Sequence, residues 1–534
     1  MGAIFGTFFS ASLVSGLLVF LFFAPVRAGA TLLRIIHTND LHSHFDHAAN
    51  HERGSYSAVK KIIDRLKAEA ESSNIPTLVL DAGDFSEGSP FFLGDRGRSA
   101  FEMMNLMGYD AVALGNHDWL MGGRQLSSLL GQVPLNFPLL GANIQCIDQR
   151  PGQFADLHAV LKPAVVFERG GVRIAVMGVT TPDPTYKWLF GPGCDVLDPA
   201  QVVNQQMSAL RRQADYVIAL THLGIGPDKD LVRNTCGIDL IVGGHSHSAL
   251  HWPDLARDEG HHLVPIVQAG SHGEFVGDLL VDLTPGSPLE VLRYSLIRVD
   301  VLPEAQRVPP IEAMVLRALQ RLDARYGKAW LDTVVGVSEV PLAAPLTATS
   351  EWGDLIAEAM RKAGRAQISV DLGRFDGMDQ PAGPVRRRDI LAAYPRMFET
   401  NRKMGWNVWT GVVRGLFFRQ QLDRLMEMRL SFSVAGVRVE TEHVPGSKRL
   451  RIREVYYNGR PMNPFELFVM ALPEGLARGE PYVVPAPIAR ELLDGVYNTG
   501  ISTWQAIETE LSGRGTLRAY GSEAVRIPFN NDAG

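Results

Sequence analysis

The stretch His37-Thr38-Asn39-Asp40-Leu41-His42-Ser43-His44 puts a carboxylate and an imidazole two residues apart, just past an apolar run. Leu32, Leu33, Ile35 and Ile36 in that run predict a short buried strand. Beyond its end, Asp40 and His42 can turn toward one point and offer a divalent ion one oxygen and one nitrogen. The pair alone says little. The same layout recurs as far as His247: Asp84, Asn116, His222, His245 and His247 each follow a strand-like apolar run. Oxygen and nitrogen donors without thiolate suit Mn, Zn, Fe or Co better than Ca or Mg. Such an inventory fits phosphate-ester hydrolysis, which needs the phosphoryl charge neutralised and a nucleophile at neutral pH. Two divalent ions about 3.5–4 Å apart supply both. The protein must then provide one carboxylate to bridge them and a set of His, Asp and Asn around each.

The elements that would position these residues alternate. Ala58, Val59, Ile62, Ile63 and Leu66 fall at helical spacing and precede the strand-like Thr77-Leu78-Val79-Leu80. A helix over residues 99–107 leads to Ala111-Val112-Ala113-Leu114. Strands are expected at 173–177, 216–220 and 238–242, with a helix over 201–212. Alternating strands and helices make the class α/β. Each polar motif lies beyond the carboxyl end of a strand, where α/β sheets carry their sites. A Pro-bearing stretch over 302–310 precedes a helix whose Ile311, Val315, Leu319, Leu322 and Tyr326 share one face, read as an interdomain helix. Beyond it, helices at 351–363 and 416–428 and strands at 408–413, 431–439 and 466–471 form a second α/β domain without ligand clustering. The expected division is 1–30, 31–300, 301–328 and 329–534.

With 534 residues, 46% hydrophobic and 21% charged, the chain can bury a sizeable core. A formal net charge of −6 argues against a dedicated nucleic-acid surface. Residues 1–26 carry no charge and are rich in Leu, Phe, Val and Ala; Ala28-Gly29-Ala30 then closes the segment. This reads as a signal peptide removed after Ala30, although its start lacks Lys or Arg. The alternative is an uncleaved membrane anchor. Either way the body is expected in an exported compartment, periplasmic or secreted. Cys146, Cys194 and Cys236 allow at most one internal disulfide.

Read in order, D-x-H, G-D, G-N-H-D, T-H-x-G and G-G-H-x-H resemble the calcineurin-like metallophosphoesterases. The opening HTNDLHSH and the second domain narrow the resemblance to the 5′-nucleotidase/UDP-sugar hydrolase family. It implies a four-layer αββα domain over about residues 31–300, holding two metal ions, and a smaller α/β domain of 5′-nucleotidase type. By motif, Asp40, His42 and His247 would hold the first ion and Asn116, His222 and His245 the second, with Asp84 bridging. His117 would be the catalytic histidine. In many relatives the His247 position is Gln. His37 would sit behind the ligands. His44, His47 and His51 are read as solvated, and His261, His262 and His272 as surface or packing residues.

Two departures from the family matter. Its G-N-H-E-F-D ends in the Asp that orients the catalytic histidine; this chain reads Gly115-Asn116-His117-Asp118-Trp119-Leu120. Leucine cannot accept an imidazole N–H. Glu87, three residues after Asp84, is the expected substitute, with Asp118 the weaker one. In the second domain, Ser350-Glu351-Trp352-Gly353-Asp354-Leu355-Ile356-Ala357-Glu358-Ala359-Met360 resembles the family helix, and Phe432-Ser433-Val434-Ala435-Gly436 also aligns. The pocket residues differ. Where the family has N-G-G-G-I-R, this chain has Leu372-Gly373-Arg374-Phe375-Asp376-Gly377. The base-stacking aromatics are replaced by Arg396 and Glu474, while Glu480 keeps an acid for a ribose hydroxyl. Losing both rings removes roughly 1–3 kcal/mol each; Trp406, Trp409 or Phe398 could replace them. The expected substrate contacts are Arg374, Gly436 and Glu480. The expected substrate is a small phosphate ester, by family default a nucleotide. The alternatives are a non-nucleotide or cyclic phosphate ester, or a binding protein that has lost catalysis.

Overall fold

The computed structural model describes residues 31–46, 55–183, 188–342, 351–375, 377–398, 403–428, 430–447, 449–478 and 495–518. Residues 1–30, His47, His51 and Glu480 lie outside the described residues, as does the side chain of Arg374. The first half is built on two sheets laid face to face. One has seven strands in the order Glu290–Arg298, Phe275–Asp282, Leu32–Thr38, Thr77–Asp81, Ala111–Ala113, Leu139–Leu140, Leu161–Lys162. The other has six, in the order Asp254–Arg257, Leu263–Val267, Leu240–Gly243, Tyr216–His222, Val172–Thr180, Ala164–Arg169.

Side chains alternate along a strand, so each strand serves two interfaces. Leu33, Ile35, Leu78 and Leu80 meet Ile174, Val176, Ile218 and Leu220 between the sheets. Outward, Ile36, Val79 and Val112 pack on Ile63, Leu66, Phe101 and Met104 of the helices Tyr56–Ser72 and Arg98–Met107. On the opposite side Ala175, Met177, Val217 and Ile241 pack on Val203, Met207 and Leu231 of the helices Pro199–Gln213 and Ile225–Arg233. The layers are helix, sheet, sheet, helix. The inner strands run parallel, Leu32–Thr38 beside Thr77–Asp81 beside Ala111–Ala113, and Val172–Thr180 beside Tyr216–His222 beside Leu240–Gly243. Their carboxyl ends therefore share one rim.

The second half carries a five-stranded sheet, ordered Phe432–Ala435, Ile368–Leu372, Leu467–Pro473, Asn407–Arg414, Tyr497–Ser502. The helix Glu351–Ala363 packs on it through Leu355, Ile356 and Met360. The strand expected over 431–439 is broken in two, Phe432–Ala435 and Arg438–His443. Gly436 makes the turn at φ 81°, and a Cβ there would lie 2.0 Å from the Gln367 carbonyl oxygen.

The helix Pro309–Tyr326 joins the halves and lies against the first. A Cβ at Gly94 would sit 2.8 Å from Leu322 N, so glycine permits that approach. Arg321 on the helix reaches Asp95 at 3.0 Å and Glu102 at 2.8 Å. Cys146 and Cys194 form a disulfide between the strands Ile144–Cys146 and Cys194–Val196; Cys236 is free and exposed. Among the described residues no helix is long and apolar enough to cross a membrane.

Candidate metal centre

Each expected ligand sits at or shortly past the end of its strand, and most occupy backbone conformations that L-residues rarely adopt. Asp40 (φ 52°), His42 (46°), Asp84 (57°), His245 (78°) and His247 (56°) are all left-handed. Such strain persists only where the surroundings enforce it, and it clusters at functional sites. The enforcement is visible. A Cβ at Gly115 would fall 2.2 Å from Asp84 Oδ1, and one at Gly244 would fall 2.9 Å from His222 Nδ1. The two glycines let neighbouring loops close onto the carboxylate and the imidazole.

Six of the seven expected ligands have ligating atoms grouped within 4.8 Å of one another: Asp40, His42 and Asp84; Asp84, His222 and His245; His42, His247 and His272. Asp84 belongs to two groups, as a shared carboxylate should. His222 Nε2 is 2.9 Å from Asp84 Oδ2 and 3.8 Å from Asp40 Oδ1. His247 Nε2 is 3.4 Å from Asp40 Oδ1 and 3.1 Å from His42 Nε2. The seventh, Asn116, is fully buried beside this group in the chain, and both its side-chain polar atoms lack a hydrogen-bond partner. Leaving such atoms unsatisfied costs about 1–3 kcal/mol.

The rings are oriented from behind. His222 Nδ1 donates to the Ala82 carbonyl at 2.8 Å, and His42 Nδ1 donates to the Glu87 carbonyl. Both leave Nε2 facing the carboxylates, the arrangement that partners of metal-bound histidines impose. His222 Nε2 has no well-aligned hydrogen bond there. Burial would raise the Asp40 carboxyl, but His247 and His222 outweigh it and hold it at about 2. Burial likewise opposes the charged form of Asp84, yet His222 and His117 hold it well below the ordinary range. Burial lowers the His222 imidazole less than Asp84 and Asp40 raise it, to about 10. Anionic oxygens and ring nitrogens thus converge, with the orphaned amide of Asn116 in the adjoining turn, and this donor set fits divalent cations.

His117 opens onto the same point. Its N–H donates to Asp84 Oδ1 at 2.7 Å, and its Nε2 lies 3.9 Å from Asp84 Oδ2. Its Nδ1 is 2.8 Å from Glu87 Oε2. Asp118 does not reach the ring. It is fully buried, and its oxygens accept from the backbone N–H groups of Asp84 (3.0 Å), Gly115 (2.8 Å) and Ser86 (3.0 Å). The structure thus corrects Asp118 from a catalytic group to a brace that holds the Asp84 loop against the Gly115 turn. Leu120 is buried and takes no part.

Of the two alternatives for His272, surface or packing, the structure shows packing, and it packs against the rings of the expected ligands. It is buried at φ 54°, with its ring centroid 5.2 Å from that of His42 and 5.3 Å from that of His247. Its N–H donates to the Asp40 carbonyl at 2.7 Å. Asn39 was missed: its Nδ2 donates to Asp40 Oδ2 at 2.6 Å and to the Gly270 carbonyl at 2.7 Å. Both follow from the loop after Val267 folding over the Asp40 turn, a contact no local pattern announces. Asn39 was nonetheless inside the opening motif. His37 is buried in its strand, stacked on Tyr294 at 6.0 Å. His44 is half-buried rather than solvated, against the His272 ring at 4.4 Å, while His261 and His262 are exposed as expected.

The second domain presents no stacking ring at the two altered positions. Trp406 and Phe398 are buried against each other at 4.7 Å, with Phe375 on Trp406 at 5.0 Å, and Trp409 is half-buried. Glu474 is buried too, accepting from Asn407 N at 2.9 Å and Arg478 Nε at 2.7 Å. Gly436 follows Ala435, which pairs with Ser369 near the start of the strand Ile368–Leu372; Phe375 lies beyond its other end. Gly436 thus lies in the turn between Phe432–Ala435 of the five-stranded sheet and Arg438–His443 of a separate three-stranded sheet, with a backbone role in that turn.

Comparison with known proteins agrees with this architecture. Residues 33–249 match the model of the calcineurin-like phosphoesterases, and residues 334–483 match that of the 5′-nucleotidase C-terminal domain. A 5′-nucleotidase of Diplobatis ommata is 30% identical over 307 residues, 52% of this chain and 52% of its own. The chain thus spans about half the length of such relatives. In structure, a 5′-nucleotidase precursor from Thermus thermophilus superposes with a TM-score of 0.70 at 24% identity, covering 91% of this chain and 97% of that one. The sulfate thiohydrolase SoxB of the same organism does so at 0.68 and 20% identity, covering 91% and 95%. At those identities the likeness is one of fold.

Proposed function

The chain belongs to the family that joins a calcineurin-like phosphoesterase domain to a 5′-nucleotidase C-terminal domain, and from that premise we propose that it is an exported two-metal phosphoesterase. The carrying observation is the convergence of Asp40, Asp84 and His222, together with Asn116, buried and without a side-chain partner next to the His117 N–H that donates to Asp84. Asp40, His42 and His247 would hold one ion and Asn116, His222 and His245 the other, with Asp84 shared. When bound, the ions would supply charge neutralisation at the phosphoryl oxygens and an acidified water. His117, held at Nδ1 by Glu87, keeps Nε2 toward the site, where it can stabilise the transition state or protonate the leaving oxygen. The domains would divide as 31–300, 301–328 and 329–534. The leader-like segment and the Cys146–Cys194 disulfide support export, since disulfides persist in oxidising compartments.

Nucleotides are the family substrate, and relatives named 5′-nucleotidase support that choice. A second reading, a non-nucleotide phosphate ester, is favoured by the burial of Trp406, Phe398 and Glu474 where a base would stack. The first test is p-nitrophenyl phosphate hydrolysis with Mn or Co, with and without chelator. Metal-dependent turnover is expected; its absence would leave a binding protein. Nucleoside monophosphates, UDP-sugars, cyclic nucleotides and sugar phosphates then separate the substrate readings.

A further inference from the structure

The carboxylate that orients His117 is itself held from the second domain. Arg396 Nη1 lies 2.9 Å from Glu87 Oε2, the same oxygen that is 2.8 Å from His117 Nδ1. The two residues are 309 apart in sequence, and their side chains are 8% and 2% exposed. Arg396 is fixed at its base. Its Nε donates to the Phe375 carbonyl at 3.2 Å, and its own carbonyl accepts from Trp406 N at 3.0 Å. The guanidinium is therefore carried by the buried Phe375–Trp406 pair of the C-terminal domain.

We propose that Arg396 is a positioning residue for His117, acting through Glu87, so that the catalytic histidine is aligned only while the C-terminal domain is seated on the phosphoesterase domain. The proposal rests on the reading of His117 given above. A buried carboxylate needs its charge matched and its lone pairs occupied; with one partner removed the remaining charge is uncompensated. Here the imidazole supplies one partner and the guanidinium the other. Separating the domains withdraws Arg396, leaves Glu87 free to rotate toward water, and releases the ring. The position where relatives stack a base has become a latch on the proton-transferring group. Lysine could keep one charge-assisted hydrogen bond to Glu87 but would lose the Nε anchor to Phe375.

The test compares Arg396→Met, Arg396→Lys, Glu87→Gln and the double variant Glu87→Gln/Arg396→Met in the full chain. With p-nitrophenyl phosphate and Mn, Arg396→Met should lose about 10- to 100-fold in kcat, part of what a positioned proton donor contributes, with KM little changed. Arg396→Lys should recover part of that loss. The double variant should match Glu87→Gln alone, and Arg396→Lys keeps the test open should Arg396→Met fold poorly. A rise in KM with kcat intact would make Arg396 a phosphate-binding group and overturn the proposal. So would a double variant much slower than Glu87→Gln. A second readout needs no turnover: carbethoxylation of His117 in metal-free protein, followed by peptide mass spectrometry. Its rate should rise several-fold in Arg396→Met and in Glu87→Gln, with exposed His262 unchanged. Equal rates would overturn the proposal. If the wild-type protein shows no metal-dependent turnover, the phosphoesterase reading falls and His117 labelling still decides what Arg396 does.

Discussion

Asn116 shows at the residue scale what the fold gives up for its site. A fully buried amide with no partner for either polar atom is a destabilising feature unless something absent from the polypeptide satisfies it. Leucine has a similar volume and no polar atoms. Asn116→Leu is therefore expected to stabilise the metal-free protein by about 1–3 kcal/mol, read from urea unfolding in chelator. Metal content after dialysis against Mn should fall in the same variant. A destabilised metal-free Asn116→Leu would show that the amide is satisfied inside the protein. The expected ligands that the structure gathers here were singled out in the sequence because each lies at or shortly after the end of an apolar strand, and Glu87 because of the family resemblance. His272 was not: its motif-free loop reaches Asp40 only through the fold, by the bond from its N–H to the Asp40 carbonyl. Asp118 misled for a related reason. Adjacency to His117 in the chain does not aim a carboxylate at the ring when three backbone N–H groups compete for it.

At the scale of elements, the parallel inner strands were readable from apolar runs ending in polar motifs, whereas the strand Phe275–Asp282 was not. Its interior holds Gly277 and Asp278, which locally read as breakers. Both are explained by partners across the sheet. Gly277 pairs with His37, and a Cβ there would lie 2.0 Å from His37 Nε2. Asp278 takes Arg34 at 2.6 Å and Arg293 at 3.1 Å, a buried pair with one partner nearer the edge. His37 stays neutral, since burial pushes it down to about 4 against the pull of Asp278. The missing Cβ is thus a packing requirement for the buried ring. Gly277→Ala should destabilise the protein by about 1–3 kcal/mol through overpacking, seen as a lower urea midpoint at unchanged slope. Gly277→Ala with His37→Ala should recover much of that loss, because the clash needs both side chains. Independent, additive losses would mean that the strand tolerates the methyl and the ring is held elsewhere.

For the whole molecule, the seating of one domain on the other was beyond the sequence. No periodicity in either half announces that Arg388 meets Asp323 at 3.1 Å or that Arg396 meets Glu87. Those pairings depend on the path of the joining helix, which packs through Gly94 and Arg321. The charge balance that this closed arrangement encloses yields a prediction of its own. In metal-free protein Asp84 and Asp40 raise the His222 imidazole to about 10 although burial opposes the charge, so it carries a proton at neutral pH. Relative to an unfolded histidine near 6.5, that proton stabilises the fold fully below about pH 6.5, and the contribution fades as pH rises through about 10. A cation bound at Nε2 needs the lone pair and must displace the proton, because ring ligands bind metal in the neutral form. Loading should therefore release a proton from His222 between those limits, and metal affinity should increase with pH across the same window. Titration calorimetry with Mn at pH 7.5, in buffers of different ionisation enthalpy, gives the proton count directly. His222→Asn should lower that count by about one, beyond any loss of affinity. An unchanged count would mean that His222 is already neutral in the metal-free protein, and that the two carboxylates are balanced by another group until the ions arrive.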